Sequence, residues 1–327
     1  MGTFAEISLY FHDEKKAGKA AGEALDEIER MDHIMSNYKK TSELSFLNNN
    51  AAKSPVSCSK DLFEVIEKSY YYSELSNGAF DITVFPLIEL WGFFREEGHI
   101  PSDKEIHDLL PAVSYKNIVM RRSDDPEKSY TVFFQRQQTR LDLGGIGKGY
   151  AVDKALEVIK KHGIDNACIN LGGNIYVLGA PDGKSVWKIG VQHPRNNTEI
   201  LGYLELSNEA TATSGDYERF FEIDGERHTH IIDPRSGMPV RGVIATTIIA
   251  PTGTDVDALS TIVFVLGTEK GLGLIHKIPG AEAMIIHEGD NEELVIDMTG
   301  GFKEKFKRLD HSSGSNIRWR KVTFGKQ

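Results

Sequence analysis

Cysteine is almost missing from this chain: Cys58 and Cys168 are its only two in 327 residues. They lie far apart and lack metal-ligand spacing, which excludes a disulfide framework and a paired-cysteine metal site. Cys168, in the apolar run Ala167–Cys168–Ile169, reads as a core thiol. No stretch of about 18 apolar residues is apparent, so no membrane span is expected. Nor does a signal-peptide pattern open the sequence. Positive charge is in deficit, with 38 basic against 48 acidic residues and a net charge of −10. Such a surface repels phosphate backbones, so nucleic acid is not an expected partner. A polyanionic cofactor would need a local cation or backbone donors. What remains is the composition of an ordinary globular protein, 40% hydrophobic and 26% charged, long enough for about two domain-sized units.

Residues Thr3 to Tyr10 alternate as a strand, and Glu14 to Met35 carries an apolar stripe at helical spacing. A helix Asp61 to Leu75 follows Ser59 as N-cap, and Asn77–Gly78 marks a turn before the aromatic stretch Ala79 to Phe94. Gly98 to Pro126 reads as polar loop with one short helix. Strands are expected at Tyr130–Phe134 and Thr139–Leu143, then a helix ending at Gly163. Further strands fall at 167–171, 175–179, 186–192, 200–206, 218–223 and 227–232, with Asp224–Gly225 as a hairpin turn. Strand Val243–Ala250, a helix from Asp255, another near Gly271–Ile278, and closing strands complete the chain. Helices and strands alternate too irregularly for a doubly wound parallel sheet. The expected class is α+β, with mixed or antiparallel sheets, flanking helices, and two subdomains sharing a cleft.

Four constellations carry chemistry. In Asp142–Leu143–Gly144–Gly145–Ile146–Gly147–Lys148–Gly149, small residues at a strand-to-helix turn let N–H groups approach an anion, or simply pack a tight turn. It is neither a Walker A loop nor a Gly-x-Gly-x-x-Gly fingerprint. Asp257 and Thr261 are four apart and share a helix face, a carboxylate and a hydroxyl suited to Mg²⁺; equally, Asp255 is a candidate N-cap with Asp257 in the first turn. His230 precedes an Asp233–Pro234 turn, where it can serve as a general base, whereas His228 reads as an exposed strand histidine. Gly78–Ala79–Phe80–Asp81–Ile82–Thr83, with Pro86, Leu87 and Trp91, is either a clamp for a flat heterocycle or core, and Tyr38 poses the same choice.

In this order the segments resemble the FAD:protein FMN transferases, the ApbE family. The matching stretches are Met1–Gly2–Thr3, Tyr38 to Asn48, Gly78 to Trp91, Asp142 to Asp153, Asn170 to Asn174, Ala212 to Phe220, His230 to Pro239 and Asp257 to Phe264. The resemblance implies one transferase domain over residues 1–310, with 311–327 a solvated extension. It also implies an enzyme that moves FMN from FAD to a Thr or Ser hydroxyl of an acceptor protein, releasing AMP, with Mg²⁺ at the pyrophosphate. By resemblance, Met1, Tyr38, Ala79, Phe80, Asp81, Asp142 and Lys148 contact FAD. The metal ligands would be the Gly145 carbonyl, Asp257 and Thr261, and the base His230. Asn170 to Asn174 would form a turn near the cofactor, and Asp216 and Arg219 would order a loop. Gly145 stands where other members carry Ala or Ser, which leaves a carbonyl ligand intact.

The expected partner is a flavoprotein carrying an Asp-x-x-Ser/Thr-Gly-Ala-Thr-like motif. Asp310 to Asn316 faintly echoes that motif, with Asn316, which has no hydroxyl, at the accepting position. By analogy with relatives, the location is extracytoplasmic and membrane-tethered. Met1–Gly2–Thr3 runs straight into strand-like sequence, as in a chain whose export segment or lipid anchor has been trimmed. An FAD pyrophosphatase using the same residues, and a flavin-binding protein without catalysis, are the alternatives. Asp257, Thr261 and His230 speak against the second. A flavin redox enzyme is disfavoured, because neither a nicotinamide fingerprint nor a redox cysteine pair is present.

Overall fold

The computed structural model describes residues 2–94, 97–124, 130–181, 183–290, 293–309 and 317–322. The chain divides into two compact units, one of residues 29–147 and 219–240, the other of 2–28, 148–218 and 241–327. Helices and sheets are mixed in the α+β manner, and an eight-stranded sheet dominates the second unit.

That sheet runs in the order Ala5–Leu9, Ala167–Leu171, Asn174–Leu178, Glu209–Gly215, Val243–Ala250, Glu282–Glu288, Leu294–Met298, Ile317–Lys321. All its pairings are antiparallel except the last. Val243–Ala250 is buried at every position, because both its faces are covered, so it reads as one apolar run rather than an alternation. The helix Gly253–Ile275 packs against it and against Glu209–Gly215. By length and composition alone Gly253–Ile275 is apolar enough to cross a membrane, but half of that stretch is buried, as in a core helix. The separate helices expected from Asp255 and near Gly271 are both present, meeting at a break at Gly267, at φ 72°.

The first unit is mainly helical. Helices Glu43–Asn50, Lys60–Leu75, Phe85–Leu90 and Asp103–Leu109 accompany a small sheet of Val56–Ser57, Tyr130–Phe134 and Ile118–Arg122, on which Lys60–Leu75 packs. Ser59 caps its helix as expected, accepting the Leu62 N–H at 3.2 Å. Trp91, Leu87, Phe93, Ile106, Val113 and Ile232 form a core cluster. Much of the aromatic stretch is therefore core.

Four local expectations need correcting. Thr139–Leu143 is not a strand, because the Asn48 amide takes over the Leu141 backbone: Leu141 N–H donates to Asn48 Oδ1 at 2.7 Å and Asn48 Nδ2 donates to Leu141 O at 2.9 Å. Ile118–Arg122 is a strand inside the segment read as loop. The strand expected over 227–232 breaks after Thr229, where the Arg219 carbonyl receives His230, and resumes at Ile232–Asp233. The central strand Glu209–Gly215 has no counterpart among the expected strands, since its Thr, Ser and Ala residues lack an apolar alternation.

The tail also differs from a solvated extension. Ile317–Lys321 pairs in parallel with Leu294–Met298, and Trp319 stacks on Phe306 at 5.7 Å. Arg320 makes a two-pronged bond to Asp297, 2.8 Å from Nε and 2.6 Å from Nη2, and His287 Nε2 lies 2.9 Å from the same carboxylate. Asp297 is only 1% exposed, so it depends on these partners. Arg320→Ala should cost about 1–2 kcal/mol, because His287 retains one bond and the guanidinium is half exposed. Urea denaturation of the variant checks this; an unchanged midpoint would show that the tail adds no stability.

Candidate active site

In the second unit the site grows from two glycines. The helix Gly147–Lys161 passes the start of Gly253–Ile275 so closely that a Cβ on Gly149 would lie 2.0 Å from Gly253 O and 2.8 Å from Asp257 Cβ. Asp153 closes this junction, accepting from Gly253 N–H (2.7 Å), Thr254 N–H (2.9 Å) and Thr254 Oγ1 (2.6 Å). Burial pushes the Asp153 carboxyl above its usual range, while those three donors pull it back. The helix N-cap is Thr252, not Asp255, and it accepts the Asp255 N–H at 3.1 Å.

Asp257 is thereby held in a fixed place at 3% exposure. Its Oδ2 accepts the Gly149 N–H at 2.8 Å, and its Oδ1 faces the Lys148 ammonium at 3.4 Å. Asn174, with its amide turned to satisfy both neighbours, donates to Asp257 Oδ1 and accepts from Lys148, each at 3.2 Å. The Lys148 contact is longer than a strong charge-assisted bond, so Oδ1 keeps capacity for a cation. Thr261 follows one helical turn later and is half-buried. A carboxylate and a hydroxyl on one helix face suit a hard divalent ion that keeps water and substrate oxygens in its shell. Among the described residues no group of three His, Cys, Asp or Glu forms a metal cage, so an ion bound here would need carbonyl, phosphate or water as further ligands.

In the first unit, Asp142 opens the glycine turn. Its N–H donates to Ile82 O at 2.7 Å; its Oδ1 accepts from Gly144 N–H at 2.8 Å and its Oδ2 from Asn37 Nδ2 at 3.0 Å. Asp81 is almost fully buried: Oδ1 takes the N–H and hydroxyl of Thr83 (2.8 and 2.6 Å) and Oδ2 the Tyr115 N–H (2.6 Å). Desolvation raises its pKa against those bonds. Ala79 and Phe80 are buried beside it. Tyr38 differs in being 55% exposed, stacked on Phe94 at 4.9 Å and bonded through its hydroxyl to Arg219 Nη1 at 2.8 Å.

His230 is half-buried, with Nδ1 3.0 Å from Arg219 O and its own N–H 3.1 Å from the same oxygen. A carbonyl only accepts, so Nδ1 bears a proton and donates it to Arg219 O. The Asp233–Gly237 turn beyond it hangs on Trp91, whose Nε1 donates to Gly237 O at 2.8 Å. His228 is not an exposed strand histidine. It is 4% exposed, sandwiched between Trp91 (5.7 Å) and Phe221 (5.1 Å), and its Nε2 has no hydrogen-bond partner among the described residues.

The structure thus joins Lys148 to Asp257, one turn ahead of Thr261, and links Tyr38 to His230 through Arg219. Asn170–Asn174 is a hairpin turn, with Gly172 and Gly173 at φ 53° and 85°. Asp216 is held by Arg195 in a bidentate pair at 2.6 and 2.8 Å, matching a loop-ordering role. Met1 and 310–316 lie outside the described residues. Sequence reading assigns no role to Asn37 or to the side chains of Asn48 and Asn174, although it places the Asn170–Asn174 turn near the cofactor. The run Asn48–Asn49–Asn50 at a helix end is the available signal, since side-chain amides there tend to bind backbone.

An α+β chain with a glycine turn, a buried carboxylate–lysine pair and a tautomer-fixed histidine has the equipment of a group-transfer enzyme acting on an anionic substrate. The model of the ApbE family matches residues 1–285, and the chain belongs to that family. It is 31% identical over 300 residues to the FAD:protein FMN transferase of Treponema pallidum, spanning 88% of this chain and 82% of that protein. It is 33% identical over 276 residues to the namesake from Haemophilus influenzae, spanning 83% and 78%. The crystal structure of the ApbE protein from Thermotoga maritima superposes with a TM-score of 0.83 at 34% identity, covering 94% of this chain and 97% of that one. The flavin transferase ApbE from Vibrio cholerae gives 0.79 at 27%, covering 93% and 96%.

The Gly149 approach yields a sharp expectation. Gly149→Ala drives a methyl into the Gly253 backbone and should cost about 1–3 kcal/mol. Gly18→Ala, in a helix with open space around it, should be neutral or stabilising by up to about 1 kcal/mol. Equal melting temperatures for the two variants would show that the close approach is not a constraint.

Proposed function

We propose that this chain is an FAD:protein FMN transferase, moving FMN from FAD onto a Thr or Ser hydroxyl of an acceptor protein through a phosphoester bond and releasing AMP. The observation that supports it most is the Nδ1 proton of His230, fixed by the Arg219 carbonyl, in a chain of the ApbE family. On this reading the acceptor hydroxyl gives its proton to His230 Nε2 as its oxygen bonds to the FMN phosphorus. The bond from that phosphorus to the oxygen of the AMP phosphate breaks, and AMP leaves. The Arg219 carbonyl keeps its hydrogen bond to Nδ1 throughout, which stabilises the imidazolium.

Phosphoryl transfer of this kind relies on positioning and charge neutralisation more than on covalent chemistry. In an acidic protein, Lys148 supplies local positive charge near the substrate phosphates. Mg²⁺, held by Asp257, Thr261 and the Gly145 carbonyl, would supply Lewis-acid neutralisation at the pyrophosphate. Met1, Tyr38, Ala79, Phe80, Asp81 and Asp142 are the proposed flavin contacts. Both Asp81 oxygens are engaged within its own unit, so its part is to shape the turn rather than to offer a free carboxylate. An extracytoplasmic, membrane-tethered location and an acceptor with an Asp-x-x-Ser/Thr-Gly-Ala-Thr-like motif belong to the same proposal.

The test mixes the protein with FAD, Mg²⁺ and a carrier bearing that motif, and weighs the carrier by intact mass spectrometry. The expected result is a gain of one FMN, lost with EDTA and slowed about 10²–10⁴-fold in His230→Ala. An unmodified carrier with free FMN and AMP would replace the proposal with FAD hydrolysis. Unmodified carrier with intact bound FAD would replace it with flavin binding alone.

A further inference from the structure

We infer that Arg219 is a positioning residue for this reaction, its main chain fixing the proton of His230 and its side chain tying that fixation to Tyr38. The inference rests on the transfer reading for its chemistry, though its geometry stands without it. Arg219 lies at the mouth of the hairpin Phe220–Ile223/Glu226–Thr229, one step beyond the last paired residues, Phe220 and Thr229. Its carbonyl there receives both the His230 N–H (3.1 Å) and His230 Nδ1 (3.0 Å).

An unconstrained imidazole in water favours the proton on Nε2, the tautomer that cannot act as base at that nitrogen. The Arg219 carbonyl reverses the preference, and it does so only while it stays in register with the ring. The guanidinium adds a side-chain tether at this end of the hairpin. Nη1 donates to the Tyr38 hydroxyl at 2.8 Å and the charged carbon sits 5.9 Å from the Tyr38 ring centroid. Tyr38 is itself stacked on Phe94, which meets Phe85 edge-on at 5.1 Å.

The Arg219–Tyr38 bond lies at the surface, and exposed contacts of this sort contribute little to folding. Its value lies in the base: whatever restrains Tyr38 restrains Arg219, and through its carbonyl the His230 ring. A flavin seated against Tyr38 would tighten the restraint, so substrate binding and base orientation form one event.

The experiment compares wild type, Arg219→Gln, Arg219→Lys, Tyr38→Phe and the double variant Tyr38→Phe/Arg219→Gln by two readouts. The first is the rate of AMP release at saturating FAD with carrier present. Arg219→Gln should lower kcat about ten-fold, Arg219→Lys should recover part of that, and the double variant should be no slower than Arg219→Gln. The second is the long-range ¹H–¹⁵N spectrum of the histidines without FAD, with His230 assigned by its loss in His230→Ala. His230 should move from the Nδ1–H form in wild type to a mixture in Arg219→Gln, at unchanged melting temperature. Additive losses in the double variant, or an unchanged His230 tautomer in Arg219→Gln, would overturn the inference. Wild type that releases no AMP would overturn the transfer reading instead, and the spectra would still decide the role of Arg219.

Discussion

A carboxylate that is 3% exposed needs a positive partner, and the second unit is organised around giving Asp257 one. The two glycines remove every atom between the helices that carry Lys148 and Asp257, Asp153 locks the junction, and Asn174 bridges the pair from the adjacent hairpin. In a chain of net charge −10, Lys148 sets local positive charge here against the prevailing field. The same carboxylate suits a divalent ion, so Lys148 and a metal are alternative or joint answers to a single electrostatic demand.

The first unit solves a different problem, that of aiming neutral groups. Asn48 grips both polar groups of Leu141 and so turns a would-be strand into a free segment ending in Asp142. Trp91 holds the Asp233–Gly237 turn by one indole bond and the His228 ring by its face. The outcome is a histidine beyond a short hairpin whose Nδ1 proton is received by a backbone oxygen.

Elements whose periodicity is decided locally are readable in the sequence: Glu14–Met35, Tyr130–Phe134, Ala167–Leu171 and Val243–Ala250 fall where the pattern puts them. The turn at Asp224–Gly225 is equally plain, since both residues sit at positive φ, 52° and 78°. What is not legible depends on partners distant in sequence. The patterning of Thr139–Leu143 cannot reveal that an amide 93 residues away binds Leu141, if only because Asn48 looks like any polar helix-end residue. His228 cannot be recognised as buried without knowing that Trp91 and Phe221 flank it. For the candidate site, the residues that carry charge stand out from their motifs, whereas the carbonyl of Arg219 has no side-chain signature at all.

The chain's nesting sets an order of assembly. The first unit is drawn from 29–147 and 219–240, so all its segments exist once residue 240 has been made. The second unit begins with the N-terminal strand yet ends with Ile317–Lys321, whose arginines meet the carboxylates of Glu293 and Asp297. Vectorial synthesis therefore finishes the inner unit first, and the outer unit waits for this last strand. Until it arrives, the open edge of Leu294–Met298 carries Asp297, with Glu293 just before the strand, an acidic border that discourages another strand from taking the place of the tail.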